Sequence, residues 1–415
     1  MKRISNNIQP QGYKNSPLGI IPKEWEVKRI CDFGKVVTGS TPPTNDLGNY
    51  GMSYKFVGPV DISENKYIKS TEKHLSEKGF ALSRCMPKGS VLFTCIGSTI
   101  GKCAIAKEDL TSNQQINAVI CDPKHDEEFL YYELCNNSSK IRLIAGEQAV
   151  PIINKSTFEK LKIICPPFAE QKKISRVISL WDTAIEKQSE LIEKLTLRKR
   201  ALMQQLLTGK KRLPGFIGKW KEVRLRNIGV FFKGNGVPKN SIICEGHKCL
   251  TYGDLYTKYD YLISNVKSFI DDSTANISTR ILYGDICFAG SGETKEDIGK
   301  CAAFIDDDYG YAGGDIIVFR ANATNPITLS YILNSDYVIR QKSNMGQGHS
   351  VVHIYPYQLE KLKLKLPSQK EQDAIASILL EADKEIELAK KKLISLQSQK
   401  QGLMQQLLTG KKRVV

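Results

Sequence analysis

The chain has 415 residues, with 60 Lys and Arg against 44 Asp and Glu, a net charge of +16. That length exceeds one ordinary core, excludes a small stapled scaffold and predicts two or more domains, while the basic excess suits a polyanion such as nucleic acid or a merely lysine-rich surface. Eleven scattered cysteines, with no CxxC pair and no histidine at ligand spacing, argue against a disulfide framework and a zinc site, and for mostly buried thiols in a reducing cytoplasm.

In chain order, the opening MKRISNNIQPQGYKNS lacks the apolar run of a signal peptide, and no window approaches 18 uncharged apolar residues. A cytoplasmic chain without a membrane span is expected. Short β-branched and aromatic runs broken by Gly, Pro and Asn follow, predicting mixed sheet with few helices. FLYYELCNNSSKIRLI at 129–144 is the expected helix of this stretch. Beyond Pro166-Pro167, where a helix should begin, Ile174, Ile178, Trp181, Ile185, Gln188, Ile192, Leu195, Lys199, Leu202 and Leu206 recur at alternating steps of four and three. This is a heptad seam, and at 1.5 Å per residue it makes a rod of about 50 Å. Gly209 follows as a C′ residue, and Lys210, Lys211 and Arg212 either complement the helix end or touch phosphate.

A second globule comes next, with TLSYILNSDYVIRQKS at 328–343 as its expected helix. A second rod closes the chain. Ser368 with Glu371 fits a capping box, Ile375, Leu379, Ala382, Ile386, Ala389, Leu393, Leu396, Lys400, Leu403 and Leu407 form its seam, and Gly410 is its C′ residue.

The rods are copies: LMQQLLTGKKR at 202–212 returns unchanged at 403–413, and at the same offset Pro166, Glu170, Gln171, Asp182 and Glu186 fall on Pro367, Glu371, Gln372, Asp383 and Glu387. The globules match more loosely, Trp25–Gly39 lying over Trp220–Gly234, residues 88–105 over 283–303, and Ile153 over Ile354. The predicted organisation is α+β with a pseudo-twofold internal repeat and neighbouring termini: globules at 1–165 and 213–365, rods at 166–212 and 366–415. Lys199 and Lys400 within the seams would lower stability while fixing register, which suggests that the rods pair with each other or with helices of another chain.

Several segments look catalytic. FAGSG at 288–292 matches the cofactor loop of S-adenosylmethionine-dependent DNA amino-methyltransferases, and CPPF at 165–168 their [DNS]-PP-[YF] tetrapeptide. Cys165 is, however, a weak hydrogen-bond acceptor, and the repeat puts Leu366 and FTCIG at the corresponding places. GSTIGKC at 97–103 is one residue short of a phosphate loop and has Cys103 where a magnesium-binding hydroxyl belongs. His349 and His353 fall in a Gly-rich stretch that reads as loop and strand, so no metal site is expected. What remains is binding chemistry in polar loops. Asn and Gln grip adenine edges, Lys and Arg favour guanine, and Ser, Thr and Gly allow close approach to phosphate. The candidates are Ser40, Thr41, Gln114, Gln115 and Gln148 in the first globule, and Lys233, Asn235, Lys295, His349 and His353 in the second; Lys102 and Lys300 would touch phosphate or be solvated.

VVTGSTPPT at 36–44, IGSTIGKCAIA at 96–106, NQQINAV at 113–119, CPPFAEQKKI at 165–174 and the paired QQLLTGKKR segments resemble the specificity subunit of type I restriction-modification enzymes over essentially the whole chain. GNGVPKN at 234–240 departs from the first half's G-S-T-P pattern. The resemblance implies two target-recognition domains, each reading half of a split double-stranded DNA site, separated by an antiparallel coiled coil of the rods. The seam would then comprise Ile174, Ile178, Trp181, Ile185, Leu195 and Lys199 against Ile375, Leu379, Ile386, Leu396 and Lys400. It also implies two modification subunits carrying S-adenosylmethionine, restriction subunits supplying magnesium- and ATP-dependent steps, and no catalytic residue or cofactor in this chain. The rod length predicts half-sites centred about one DNA turn apart, and lengthening residues 207–220 is expected to widen the gap. The competing readings are a DNA amino-methyltransferase, which must bind S-adenosylmethionine, and a coiled-coil scaffold without DNA function.

Overall fold

Both seams fold as uninterrupted helices of 39 residues, Phe168–Leu206 and Gln369–Leu407, in a computed structural model that describes residues 11–146, 150–348 and 351–414. Every heptad position of either seam is buried or half-buried. Each helix ends as its glycine predicts: Gly209 at φ 67° and Gly410 at φ 71° adopt the left-handed conformation. There Lys211 N–H reaches back to the Gln205 carbonyl, and Lys412 N–H to that of Gln406. The expected capping box is absent, because the Glu371 carboxylate binds Arg212 and Trp220 instead of turning back to Ser368.

The chain divides into two units, and the division falls inside both long helices: residues up to Ser189 join those from Lys391 onward, and Glu190–Lys390 form the other. Each unit therefore holds a globule, the first half of its own helix and the tail of the other helix. Leu407 and Leu408 complete the core of the first unit, and Leu206 and Leu207 that of the second. Inside each unit the paired stretches run antiparallel, Asp182 meeting Lys400 in one and Asp383 meeting Lys199 in the other.

In the first unit the main sheet has the order Gly34–Thr38, Ile116–Cys121, Val91–Thr94, Cys103–Ile105, all neighbours antiparallel. The helix expected at 129–144 spans Glu127–Ile144, and Asp126 caps it, its side chain accepting from Phe129 N–H. In the second unit Gly229–Lys233, Ile316–Ala321, Ile286–Ala289 and Cys301–Phe304 repeat this order, and Leu262–Ile263 adds a fifth, parallel strand. The single helix expected at 328–343 is two, Pro326–Leu333 and Asp336–Met345; Asn334 and Ser335 leave the helical conformation, and Asn334 Nδ2 instead donates to the Cys301 carbonyl at 2.6 Å. In both units a short strand pair, Glu26–Arg29 with Lys162–Cys165 and Lys221–Arg224 with Lys363–Leu366, leads directly into a long helix. Among the described residues no helix is long and apolar enough to cross a membrane, and no group of three or more His, Cys, Asp or Glu could hold a metal.

Candidate DNA interface

Two kinds of polar cluster recur in the units. The first kind lies where helix meets globule. Glu170 takes a fork of two hydrogen bonds from Arg413, 2.6 and 2.8 Å, and one of 2.9 Å from Trp25 Nε1; Glu371 takes the same from Arg212, 2.7 and 2.8 Å, and one of 3.3 Å from Trp220. These carboxylates hold the guanidinium pKa of both arginines above its ordinary value. Higher up, Asp182 receives Lys400 and the Tyr132 hydroxyl, and Asp383 receives Lys199 and the Tyr331 hydroxyl. Lys400 and Lys199 also lie over those tyrosine rings, 5.6 and 5.1 Å from the centroids. The seam lysines are thus satisfied registers rather than stranded charges. The arginine of each basic run is structural, and the flanking Lys210, Lys211, Lys411 and Lys412 are exposed.

The second kind lies off one end of each main sheet. In the first unit, strand register puts Thr38, Thr94, Cys103 and Ile116 at that end. The loops leaving it bring Ser40, Thr41, Gln114 and Gln115 together, with Lys102 on the adjoining turn. Thr41 Oγ1 donates to Gln114 Oε1 at 2.8 Å, and Ser40 Oγ accepts from Arg84 N–H at 2.9 Å. Arg84, absent from the sequence candidates, also donates to the Thr38 carbonyl at 3.0 Å. It stands 44 residues from Ser40, and no local pattern could have announced it. In the second unit the same end carries Lys233 and Asn235, with Lys295 and Lys300 in the adjoining loop and His353 on the short strand Val352–His353, which pairs with Ser291–Gly292. Asn235 Nδ2 donates to the Ile277 carbonyl at 2.8 Å, Lys300 lies 3.7 Å from Asp260, and His353 Nδ1 is 3.0 Å from Ser291 Oγ. Lys233 and Lys295 are exposed. Gln148 and His349 lie outside the described residues.

The two ends share one backbone frame. Gly39 N–H donates to Ile116 O, Ser40 to Ser112 O, Ile116 to Asn113 O, Thr94 to Lys102 O, Cys95 to Gln115 O and Ile153 to Cys95 O. In the second unit Gly234 donates to Ile316 O, Asn235 to Ala312 O, Ile316 to Gly313 O, Ala289 to Lys300 O, Gly290 to Asp315 O and Ile354 to Gly290 O. Glycine is required where the frame is tightest, since a Cβ on Gly39 or Gly234 would overlap the Asn113 or Gly313 carbonyl.

The frame also accounts for the catalytic look-alikes. Gly290 of FAGSG is one of its stations, and Cys165 of CPPF is a buried strand end whose Sγ lies 3.4 Å from Gln171 Nε2. GSTIGKC joins two antiparallel strands with no helix after it, unlike a phosphate loop. The model of the type I restriction modification DNA specificity domain matches residues 22–197 and again 217–398. The chain belongs to this family. It is a type I specificity subunit, the non-catalytic, DNA-recognising member of such systems. This specificity subunit is 26% identical over 415 residues to the "Type I restriction enzyme MjaVIII specificity subunit" of Methanocaldococcus jannaschii, covering 95% of this chain and 94% of the relative. It is 30% identical over 198 residues to the HindI specificity subunit of Haemophilus influenzae, covering 46% and 42% of the two chains. In fold it matches the specificity subunit of M. genitalium with a TM-score of 0.57 at 17% identity, over 92% of this chain and 96% of that one. A chain from a structure described as underlying complex assembly and conformational transition of the type I system matches with a TM-score of 0.58 at 16% identity, over 94% and 99%.

Proposed function

We propose that this specificity subunit reads a bipartite double-stranded DNA site in the cytoplasm, its target-recognition domains at 1–165 and 213–365 taking one half-site each. The spacer segments 166–212 and 366–415 pair as an antiparallel coiled coil. They offer equivalent docking faces to two modification subunits, which carry S-adenosylmethionine, while restriction subunits bring the ATP- and magnesium-dependent steps. One observation carries this reading: the helix-end clusters repeat side chain for side chain, whereas the loops off the sheet ends repeat only in backbone. Equivalent faces suit two copies of one partner, as a pseudo-twofold requires, and unlike loops suit two unlike half-sites. Contact falls to Ser40, Thr41, Gln114, Gln115 and Gln148 on one side and Lys233, Asn235, Lys295, His349 and His353 on the other, with Lys102 and Lys300 toward phosphate.

Methylated positions mapped in DNA from cells coexpressing this chain with its modification subunit test the reading. Exchange of residues 25–165 for the corresponding globule of another specificity subunit should change one half of the methylated site and spare the other. Unchanged sites would reject it. The spacing test belongs within the helices, not at residues 207–220, which contain no helix. Seven residues added after Ser189 and seven after Lys390 keep both heptads in phase and lengthen the pair by roughly 10 Å, about three base pairs. The unread gap should widen accordingly.

A further inference from the structure

The duplicated frame aligns residues that the sequences do not. The carbonyl bonded by Cys95 N–H belongs to Gln115, and the carbonyl bonded by Gly290 N–H belongs to Asp315, so these two residues occupy one station in two settings. Around them the loops differ. The first unit presents Asn113, Gln114 and Gln115 there; the second presents Gly313, Gly314 and Asp315, so that Asp315 alone offers a side chain.

The polarity of the station is inverted between the units. Gln115 N–H donates to Asn113 Oδ1 at 3.0 Å, which fixes the orientation of that amide, and Asn113 Nδ2 therefore donates to Gln115 Oε1 at 2.8 Å. The Gln115 carbonyl is thereby engaged, and its NH₂ group is left to donate. Asp315 is exposed, and among the described residues its carboxylate has no hydrogen bond and no ion pair. Acceptor lone pairs are all it can offer. On a chain with a net charge of +16, a bare carboxylate facing a polyanion is repelled unless a donor on the nucleic acid meets it. In the major groove the donors are the exocyclic amino groups of cytosine and adenine. Adenine sets its N7 acceptor beside that group, where a carboxylate would be repelled, and cytosine does not.

We propose that Asp315 is a specificity-determining residue of the second unit, accepting a hydrogen bond from the N4 amino group of a cytosine in its half-site, at the station where Gln115 of the first unit presents a donor. This rests on the DNA-reading function proposed above.

The test uses the full chain with its modification subunits, as wild type, Asp315→Asn and Asp315→Ala. Methylated sites are mapped, and binding is measured on duplexes in which each position of both half-sites is varied singly. The expected result is that Asp315→Asn relaxes or switches the preference at one C·G pair of one half-site, by about tenfold, with the other half-site unaltered. Asp315→Ala should equalise the bases at that pair. If both variants keep every preference, or tighten binding to all sequences alike as loss of a repelling charge would, Asp315 is mere surface and the inference fails. If the wild-type complex shows no sequence preference, the DNA-reading function itself fails, and the two failures are distinct. Asp315 is exposed and only its backbone is bonded, so a shared thermal midpoint of wild type and variants will confirm that folding is intact.

Discussion

The helix-end clusters and the sheet-end loops have both been duplicated, and they have kept different things. At the helix ends Trp, Arg, Glu, Asp, Tyr and Lys recur as the same residues around the same carboxylates, except that Arg413 also binds Glu24 where Arg212 binds the Gly218 carbonyl. At the sheet ends six backbone hydrogen bonds recur while the side chains change, Ser40 to Asn235 and Gln115 to Asp315. The physical reason is the kind of bond. A carboxylate that accepts an arginine fork and an indole N–H is specified atom by atom, so neither partner can vary alone. A frame made of backbone N–H and C=O groups is indifferent to what its residues project, glycine positions of closest approach excepted. A protein that must keep its assembly while varying its target can do so by placing each task on the matching kind of bond.

That contrast can be broken at its strongest point first. Glu371→Ala leaves the Arg212 guanidinium beside an indole without its anion, and of the substitutions considered it should lower stability most, because the fork and the indole bond are lost together. Glu170→Ala should cost about as much. Denaturant unfolding of both variants checks this, and a large inequality between them would break the equivalence of the clusters.

A difference between the units gives the next effect. Glu133, one residue after Tyr132, is buried, whereas Ile332 follows Tyr331. Burial pushes the Glu133 carboxyl up from 4.5 to about 8, with one oxygen bonded to Asn137 Nδ2 at 3.0 Å. The folded chain thus holds this proton more tightly than the unfolded one. Its contribution to stability is complete below about pH 4.5 and is lost as pH rises through about 8. Glu133→Gln should raise the thermal midpoint by several degrees at pH 9, change little at pH 4, and flatten the slope between them.

A smaller effect is expected at the seam. In a double-mutant cycle, Lys199→Met and Asp383→Asn should show a coupling of about 1 kcal/mol, and Lys400→Met with Asp182→Asn the same. The smallest change belongs to the loops. Gln114→Ala should alter stability by less than about 0.5 kcal/mol while changing the mapped methylation site. A loss of stability there would mean that the loop supports the frame.

Much was legible in the residues because it is local or periodic. The heptad steps and the left-handed Gly209 and Gly410 require nothing beyond neighbouring positions, and both helices run through their seams as read. Four features could not be read that way. Glu371 looked like a capping residue because Ser368 stands three before it, yet Arg212 and Trp220, more than 150 residues away, claim its oxygens. Residues 328–343 looked like one helix until Asn334 found the Cys301 carbonyl. Arg84 joined the loop cluster through a backbone carbonyl and a serine far along the chain, and Asp315 emerged only when hydrogen bonds rather than letters were aligned.

By itself, then, the sequence determined the duplication, the two long helices and the family, because periodicity and identity survive without coordinates. Only the tertiary structure decided which polar groups meet across long separations and which stations of the two units correspond. Those pairings are chosen by geometry in space, where a free carboxylate and a bonded amide become equivalent positions whatever their neighbours in the chain.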